Sequence, residues 1–159
     1  QSMILAIDPG PIASAYVKLS GTRVVECAKV PNEDLLNIVR AHRGLRITTA
    51  VEMIESYGMA VGAEVFETCV TIGRICEALG DEPVRVKRIE VKTHICHSAR
   101  ANDANIRQAV IDRYGGKDAA IGKKAKPGPL YGVSGDMWAA LAVGLTVLDR
   151  QTMPIARAA

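Results

Sequence analysis

Residues Met3-Ile4-Leu5-Ala6-Ile7-Asp8-Pro9-Gly10 decide the fold prediction. Five consecutive apolar residues followed by a turn signal are typical of a buried strand that ends at a tight turn. The side chain of Asp8 is therefore expected at the carboxyl end of this strand. A carboxylate in that place, directly after an apolar segment, is the first candidate for a functional residue.

The rest of the chain contains further predicted strands and several predicted helices. Strands are predicted at 13–19 and 23–30, joined by a hairpin at 20–22, and again at 47–54 and 84–91. Helices are predicted at 32–42, capped by Asn32, and at 61–79, 103–115 and 135–149. Three consecutive strands, followed by helices and strands in alternation, predict an α/β fold with a mixed five-stranded sheet and helices on both faces. Residues 3–159 are expected to form one domain, with Gln1 and Ser2 foreign to it.

The helix at 61–79 carries a narrow apolar seam. Val65, Cys69, Ile72, Cys76 and Leu79 follow one another at steps of four and three residues, as on one face of a helix. Such a seam suits packing against the protein core or a contact between two helices of a dimer. Both interpretations stay open at this point.

Composition and charge narrow the class of protein. No apolar run reaches the roughly 20 residues needed to cross a bilayer, and no secretion signal precedes Asp8. The net charge is only +3, but residues 85–126 hold eleven lysines and arginines against four acids. This asymmetry indicates either a polyanionic partner or a solvated surface.

The cysteines argue against disulfides and structural zinc. Four cysteines without a CxxC pair or a secretion signal favour a reducing compartment, so a cytoplasmic location is expected. His94, Cys96 and His97 are close in sequence, but alternation along a strand would send His97 to the opposite face. A zinc site there is therefore not expected.

Three carboxylates stand in apolar surroundings. Asp8 follows the first strand, Glu52 lies between Val51 and Met53 in a later one, and Asp136 begins a nearly uncharged helix. A buried ionised carboxylate must be paired or must bind a cation. Asp8 and Asp136 could be an ordinary turn residue and a helix N-terminal anion, but Glu52 has no basic neighbour in sequence. The three together favour a joint metal site.

The donor atoms predict which metal such a site would take. Carboxylate oxygens without histidine or thiolate ligands select Mg²⁺ or Mn²⁺ over Zn²⁺. Two such ions about 4 Å apart can activate water and stabilise the leaving oxygen of a phosphodiester. An acidic metal pocket beside a basic surface is the layout expected of a nuclease.

Four segments in the same order resemble the RuvC family of Holliday junction resolvases, in particular the versions encoded by bacteriophages. They are residues 3–10 with the first acid, Ala50-Val51-Glu52-Met53 with the second, Ile89-Glu90-Val91-Lys92-Thr93, and residues 135–143 with the third. The resemblance implies a ribonuclease H-like fold and a homodimer that nicks branched DNA with Mg²⁺ or Mn²⁺. It also implies that Asp8, Glu52 and Asp136 are metal ligands.

Two departures from the family pattern affect the expected activity. The family has another aspartate where this chain has Ala139, and a lysine within the segment matching 101–104, where this chain has none. Glu55 could supply the missing carboxylate if the chain turns after Met53. A branched-DNA-binding protein with lost or weak cleavage is therefore the alternative function. An actin-like ATPase fragment is excluded because no second phosphate loop appears.

The basic region supplies the predicted contacts with DNA. Tyr57 and Tyr131 are candidates for stacking on unpaired bases, although packing within the protein explains them equally well. The predicted DNA-binding residues are Tyr57, Lys87, Arg88, Lys92, Arg100, Lys117, Lys123, Lys124 and Lys126.

Overall fold

The computed structural model describes residues 1–153. Its strands are Met3–Asp8 (β1), Ala13–Ser20 (β2), Arg23–Pro31 (β3), Thr48–Met53 (β4), Val84–Lys87 (β5), Gly122–Lys123 (β6) and Lys126–Pro127 (β7). Its helices are Asn32–His42 (α1), Ala63–Leu79 (α2), Arg88–Cys96 (α3), Asp103–Arg113 (α4), Lys117–Ala120 (α5) and Met137–Thr152 (α6). The predicted domain, 3–159, extends beyond the described residues.

The main sheet has the strand order β3-β2-β1-β4-β5 within the described residues. β1, β2 and β3 pair antiparallel as consecutive hairpins, whereas β1, β4 and β5 pair parallel. The predicted mixed five-stranded sheet is confirmed. Because β1, β4 and β5 run in one direction, their carboxyl ends meet at the same edge of the sheet.

Alternation along β1 divides the interior into two layers. Ile4 and Ala6 face a cluster formed with α4 and α6, and Leu5 and Ile7 face a cluster formed with α1 and α2. Successive side chains on a strand point to opposite faces, so a fully apolar strand covered by helices on both sides is the arrangement that its sequence requires. The prediction of helices on both faces is confirmed.

The predicted strand at 84–91 is wrong beyond Lys87. The chain turns into α3 at Arg88, and the backbone N–H of Lys87 donates to Glu90 Oε2 at 2.7 Å. The apolar alternation of Val84 and Val86 breaks at Arg88, and Val91 and Ile95 then follow helical spacing. The expectation that His94, Cys96 and His97 lie on a strand is wrong for the same reason: the first two are in α3, and His97 is its C-cap.

The segment 116–135 is rich in lysine, glycine and proline, a composition that predicts a mobile basic loop, but the segment is instead structured. It contains α5 and the small ribbon of β6 and β7, and its backbone is tied down by a hydrogen bond from Leu130 N–H to the Ala120 carbonyl at 2.7 Å. Leu130 is fully buried in the core. A buried leucine among the glycines and prolines supplies the apolar contact that orders the segment.

Asn32 does not cap α1 as predicted. It is the first residue of the helix, its side chain is buried, and no side-chain capping bond forms. Among the described helices, none is long and apolar enough to cross a lipid bilayer.

Candidate active site at the carboxyl edge of the sheet

Asp8 and Glu52 lie side by side at the carboxyl edge. β1 and β4 pair in parallel with Ile7 opposite Val51, so the next residue of each strand is a carboxylate. Both follow the alternation of Ala6 and Ala50, which face the α6 layer. The sheet register thus places the two predicted acids on the same face.

Asp136 approaches the same face from α6, because it is the residue directly before that helix. Lys29 reaches it from β3: the Lys29 Nζ lies 2.6 Å from Asp136 Oδ2. The register Asp8–Ala15–Lys29 across three strands explains why Lys29 shares the face of Asp8. This hydrogen bond raises the pKa of Lys29, so the ammonium group stays charged at neutral pH.

Glu52 is held by a guanidinium group. Arg88, the first residue of α3, places Nη1 3.2 Å from Glu52 Oε2 and 3.4 Å from Oε1. Arg88 also forms an ion pair with Asp103 at the start of α4. Glu52 is only 14% exposed, and its burial raises its pKa while Arg88 acts in the opposite direction. Arg88 therefore links β4, α3 and α4 at the site.

The pKa of Asp8 is raised from its ordinary value of 3.8 to about 7. Burial is the largest cause, because it disfavours the charged carboxylate. The negative charges of Glu52 and Asp136 raise the pKa further, whereas Arg88 and Lys29 act in the opposite direction. The three predicted acids are thus electrostatically coupled.

The donor set at this edge fits a hard divalent cation in its chemistry. Asp8, Glu52 and Asp136 offer only carboxylate oxygens, the ligands that Mg²⁺ and Mn²⁺ prefer. Among residues 1–153, however, no three or more His, Cys, Asp or Glu side chains stand ready to hold a metal ion. Glu52 and Asp136 are bonded to Arg88 and Lys29 instead, so a cation would have to displace these ion pairs.

A buried hydrogen-bond network holds the loop that follows Asp8. The Ser14 hydroxyl donates to Asn32 Oδ1 at 2.7 Å, and Asn32 Nδ2 donates to the Gly10 carbonyl at 3.0 Å and to Thr71 Oγ1 at 3.2 Å. The Gly10 N–H donates to Ser14 Oγ at 3.1 Å. A Cβ at position 10 would collide with the Ala13 carbonyl oxygen, so this close turn requires glycine.

The carboxylate of Glu55 bonds to Lys87 and Tyr57 and not to the basic side chains that hold Glu52 and Asp136. Its Oε1 is 2.7 Å from Lys87 Nζ, and hydrogen bonds from Lys87 and then Tyr57 hold its pKa below the usual range. It is not among the charges that shift the pKa of Asp8. Tyr57 is 66% exposed, with a left-handed backbone at φ 49°. A catalytic role for Glu55 and a DNA contact for Tyr57 stay predictions.

Two cavities flank Arg88. The first, about 280 Å³, lies between α4 and α6, and we call it the α4–α6 cavity; Arg88, Asp103, Arg107, Asp136, Trp138 and Ala139 are among its lining residues. The second, about 330 Å³, is lined by Glu52, Glu55, Tyr57, Arg88 and Lys92, among others. Asp136 therefore lines one open depression and Glu52 the other, and both depressions have basic groups in their walls.

The predicted basic DNA-binding residues lie in three places. Lys87, Arg88 and Lys92 lie at the carboxyl edge beside Glu52 and Glu55. Arg100 lines a separate depression along α4. Lys117, Lys123, Lys124 and Lys126 are exposed on α5 and on the ribbon of β6 and β7. The contacts of all three groups with DNA stay predictions.

Sequence reasoning missed Lys29 and gave Arg107 no role. The sequence signal for Lys29 was its place in β3, which forms a hairpin with β2, the antiparallel neighbour of β1; the register of these two pairings fixes the face of Lys29. The signal for Arg107 was its spacing of four residues from Asp103 on one helix, which puts both on the same face.

Solved structures identify the fold. The chain superimposes on the Thermus thermophilus RuvC structure with a TM-score of 0.64 and 17% sequence identity, over 94% of this chain and 96% of that one. Against T. thermophilus RuvC in complex with Holliday junction substrate, the TM-score is 0.64 and the identity 16%, over 95% of this chain and 96% of that one. No protein-family model and no curated protein sequence matches the chain.

These similarities confirm the predicted ribonuclease H-like α/β fold, the fold of RuvC. The bacteriophage origin suggested by the sequence resemblance stays a prediction. At this level of identity the likeness concerns the fold, and activity is argued from the residues of the site.

Proposed function

We propose that this protein is a divalent-metal-dependent endonuclease that cuts Holliday junctions or related branched DNA. The observation that carries the proposal is the convergence of Asp8, Glu52 and Asp136 at one edge and on one face of a RuvC-like sheet. The structural similarity to a RuvC–Holliday junction complex over 95% of the chain supports branched DNA as the substrate.

Asp8, Glu52 and Asp136 would hold Mg²⁺ or Mn²⁺, in a pair if the two-ion arrangement applies. When bound, such ions supply Lewis-acid activation of water and stabilise the leaving oxygen of the phosphodiester. The protein contributes the buried carboxylate of Asp8 and the rigid loop that holds it. Its basic groups, Arg88, Lys92 and Lys29, neutralise the charge of the DNA backbone near the acids.

A cleavage assay on a synthetic four-way junction tests this proposal. Wild-type protein is expected to nick the junction in Mg²⁺ or Mn²⁺ and to leave it intact in EDTA. Asp8→Asn is expected to bind the junction but to cut at least a hundredfold more slowly. The substitution removes one carboxylate charge from the site with little change in packing. Cleavage by Asp8→Asn at the wild-type rate would refute the site assignment.

The second candidate function is a protein that binds branched DNA without efficient cleavage. Two observations favour it: Ala139 lines the α4–α6 cavity where a further acid would face Asp136, and Glu52 and Asp136 are already paired with basic side chains. Junction binding without metal-dependent nicking by the wild type would select this function. Ala139→Asp would then be expected to produce measurable nicking, whereas Ala139→Asn would not.

A further inference from the structure

Arg107 projects from α4 toward the α4–α6 cavity, beside the candidate acids. Its guanidinium carbon lies 5.2 Å from the ring centroid of Trp138. Trp138 is the second residue of α6 and is only 7% exposed. A cation above an aromatic face is attracted by the ring quadrupole, so the buried ring favours this position of the guanidinium.

The charged side chains around Arg107 leave its guanidinium group free to bind an anionic ligand. Four charged side chains line the α4–α6 cavity, namely Arg88, Asp103, Arg107 and Asp136. Asp103 pairs with Arg88, and Asp136 pairs with Lys29. Among the residues that the structure describes, no carboxylate forms an ion pair with Arg107. Its positive charge is therefore uncompensated in a cavity whose other charges are matched.

Stacking does not use the hydrogen-bonding capacity of a guanidinium group. Its five N–H donors lie in the plane of the group, and a planar fork of this kind matches the oxygens of a phosphate. Arg107 is exposed to solvent although its guanidinium group stacks on Trp138. Its donors can thus reach a ligand in the cavity while the ring keeps its orientation.

We propose that Arg107, oriented by Trp138, binds a phosphodiester group of the DNA strand that passes the candidate acids. This inference rests on the proposed function, and it adds a phosphate-positioning residue that the charge pattern of the sequence did not single out. The cavity shares Asp136 with the candidate site. A phosphate bound by Arg107 would therefore belong to the backbone next to the site, where it sets the position of the strand.

The test compares binding of a four-way junction in EDTA by the wild type, Arg107→Ala, Arg107→Lys and Arg46→Ala. Arg46 is likewise an exposed arginine, and it lies two residues before β4 at the opposite, amino-terminal edge of the sheet. Arg107→Ala is expected to weaken binding about tenfold and to lower the log–log salt slope by roughly 0.9. Arg46→Ala is expected to change neither quantity.

Two further readouts separate positioning from folding. Trp138 is the only tryptophan of the chain, so its fluorescence reports on the stacked arginine. Addition of the junction is expected to change this fluorescence in the wild type and much less in Arg107→Ala. Arg107→Lys is expected to keep most of the salt slope, because the charge remains, but to cut more slowly in Mg²⁺ because the planar fork is lost.

The outcomes distinguish this inference from the proposed function. If the wild type binds the junction and Arg107→Ala keeps its affinity and salt slope, the Arg107 assignment is overturned alone. If the wild type does not bind the junction, the proposed function is overturned together with it. If Arg107→Ala melts at a much lower temperature, the folded Arg107→Lys variant decides: an unaltered cleavage rate and an unaltered fluorescence response would also overturn the assignment.

Discussion

At pH 7 the carboxyl group of Asp8 is close to half ionised in the metal-free protein, because its pKa is about 7. The folded state keeps the Asp8 proton up to this pH, whereas the unfolded chain loses it near 3.8. The folded state thus binds more protons between these values, and the free energy of unfolding falls as pH rises through this window. The destabilisation is complete above pH 7 and amounts to at most about 4 kcal/mol.

Asp8→Asn removes this destabilisation. In EDTA the variant is expected to be more stable than the wild type, with a larger gain at pH 8 than at pH 5. Urea unfolding at both pH values measures the difference. Asp34→Asn, an exposed change on α1, is the matched control and should show no such pH dependence. A gain that is equal at the two pH values would contradict the raised pKa of Asp8.

Lys29 competes with a metal ion for Asp136. Its ammonium group lies 2.6 Å from the Asp136 carboxylate, but both side chains are about half exposed, so solvent weakens the pair. Lys29→Met is therefore expected to tighten Mn²⁺ binding by a moderate factor, up to about fivefold. Isothermal titration calorimetry with Mn²⁺ measures the affinity.

Lys18→Met is the control for Lys29, because Lys18 is opposite Leu5 and so lies on the other face of the sheet. It should leave Mn²⁺ affinity unchanged. Weaker Mn²⁺ binding by Lys29→Met would show that the lysine organises the carboxylates for the metal, and the competition argument would then fail.

At the scale of the elements, close packing of α6 on the sheet sets the position of Asp136. A Cβ on Gly144 would lie 2.8 Å from Leu19 Cδ1 and 3.1 Å from Ala6 Cβ, both of fully buried residues. Gly144→Ala is expected to lower the free energy of unfolding by about 1–3 kcal/mol, because the helix must move or the core must distort. It should also slow cleavage through displacement of Asp136.

Gly73 in α2 is the matched control for Gly144. A Cβ there meets nothing within 4 Å in the single chain, so Gly73→Ala is expected to raise the stability of the monomer by about 0.5–1 kcal/mol through helix propensity. Thermal or urea unfolding of the two variants should give changes of opposite sign. Two stabilising changes would show that the α6 contact has more room than the structure indicates.

Much of this element-scale architecture could be predicted from local patterns. The apolar run of β1 predicted a buried strand. Asp8 could be assigned to the end of that strand, and Glu52 to the interior of a later one. The register that joins them depends on strand pairing between distant segments, which no local pattern contains. Lys29 entered the site only through that register, so its role could not be read from neighbouring residues.

The helix predicted at 61–79 is present as α2, but its buried face differs from the predicted apolar seam for a local reason. In α2 the buried face is formed by Thr68, Thr71, Ile72, Ile75 and Ala78, and only part of the predicted seam is buried. Two threonines can be buried because their hydroxyls donate to the carbonyls of Glu64 and Glu67, one turn earlier. Apolar periodicity alone counts threonine as polar, and the prediction therefore rotated the helix.

At the scale of the whole molecule, α2 carries an apolar surface that is exposed in the single chain. Phe66 is 62% exposed and Val70 is 57% exposed, and they lie four residues apart on one face. A surface with several exposed apolar side chains is typical of a contact with another protein. A second copy of this chain is the partner that suits the proposed function, since a junction of two-fold symmetry presents two equivalent strands to a two-fold dimer.

We therefore expect a homodimer that uses the exposed face of α2. Phe66→Glu places a charge in the proposed interface, where it would be buried without a partner, and should shift the protein to monomer at micromolar concentration. Analytical ultracentrifugation measures this shift, with and without junction DNA. Val25→Glu, a change at a residue 46% exposed on β3, is the control and should stay dimeric.

Because Phe66 is exposed in the single chain, Phe66→Glu should keep its fold and its melting temperature as a monomer. Loss of paired nicking with retention of single nicks would then follow from separation of the two active sites. A wild-type protein that sediments as a monomer at these concentrations, with and without DNA, would contradict the dimer. If Phe66→Glu dimerises like the wild type, the dimer interface lies on another surface, because a desolvated glutamate at the centre of an α2 interface would not be tolerated.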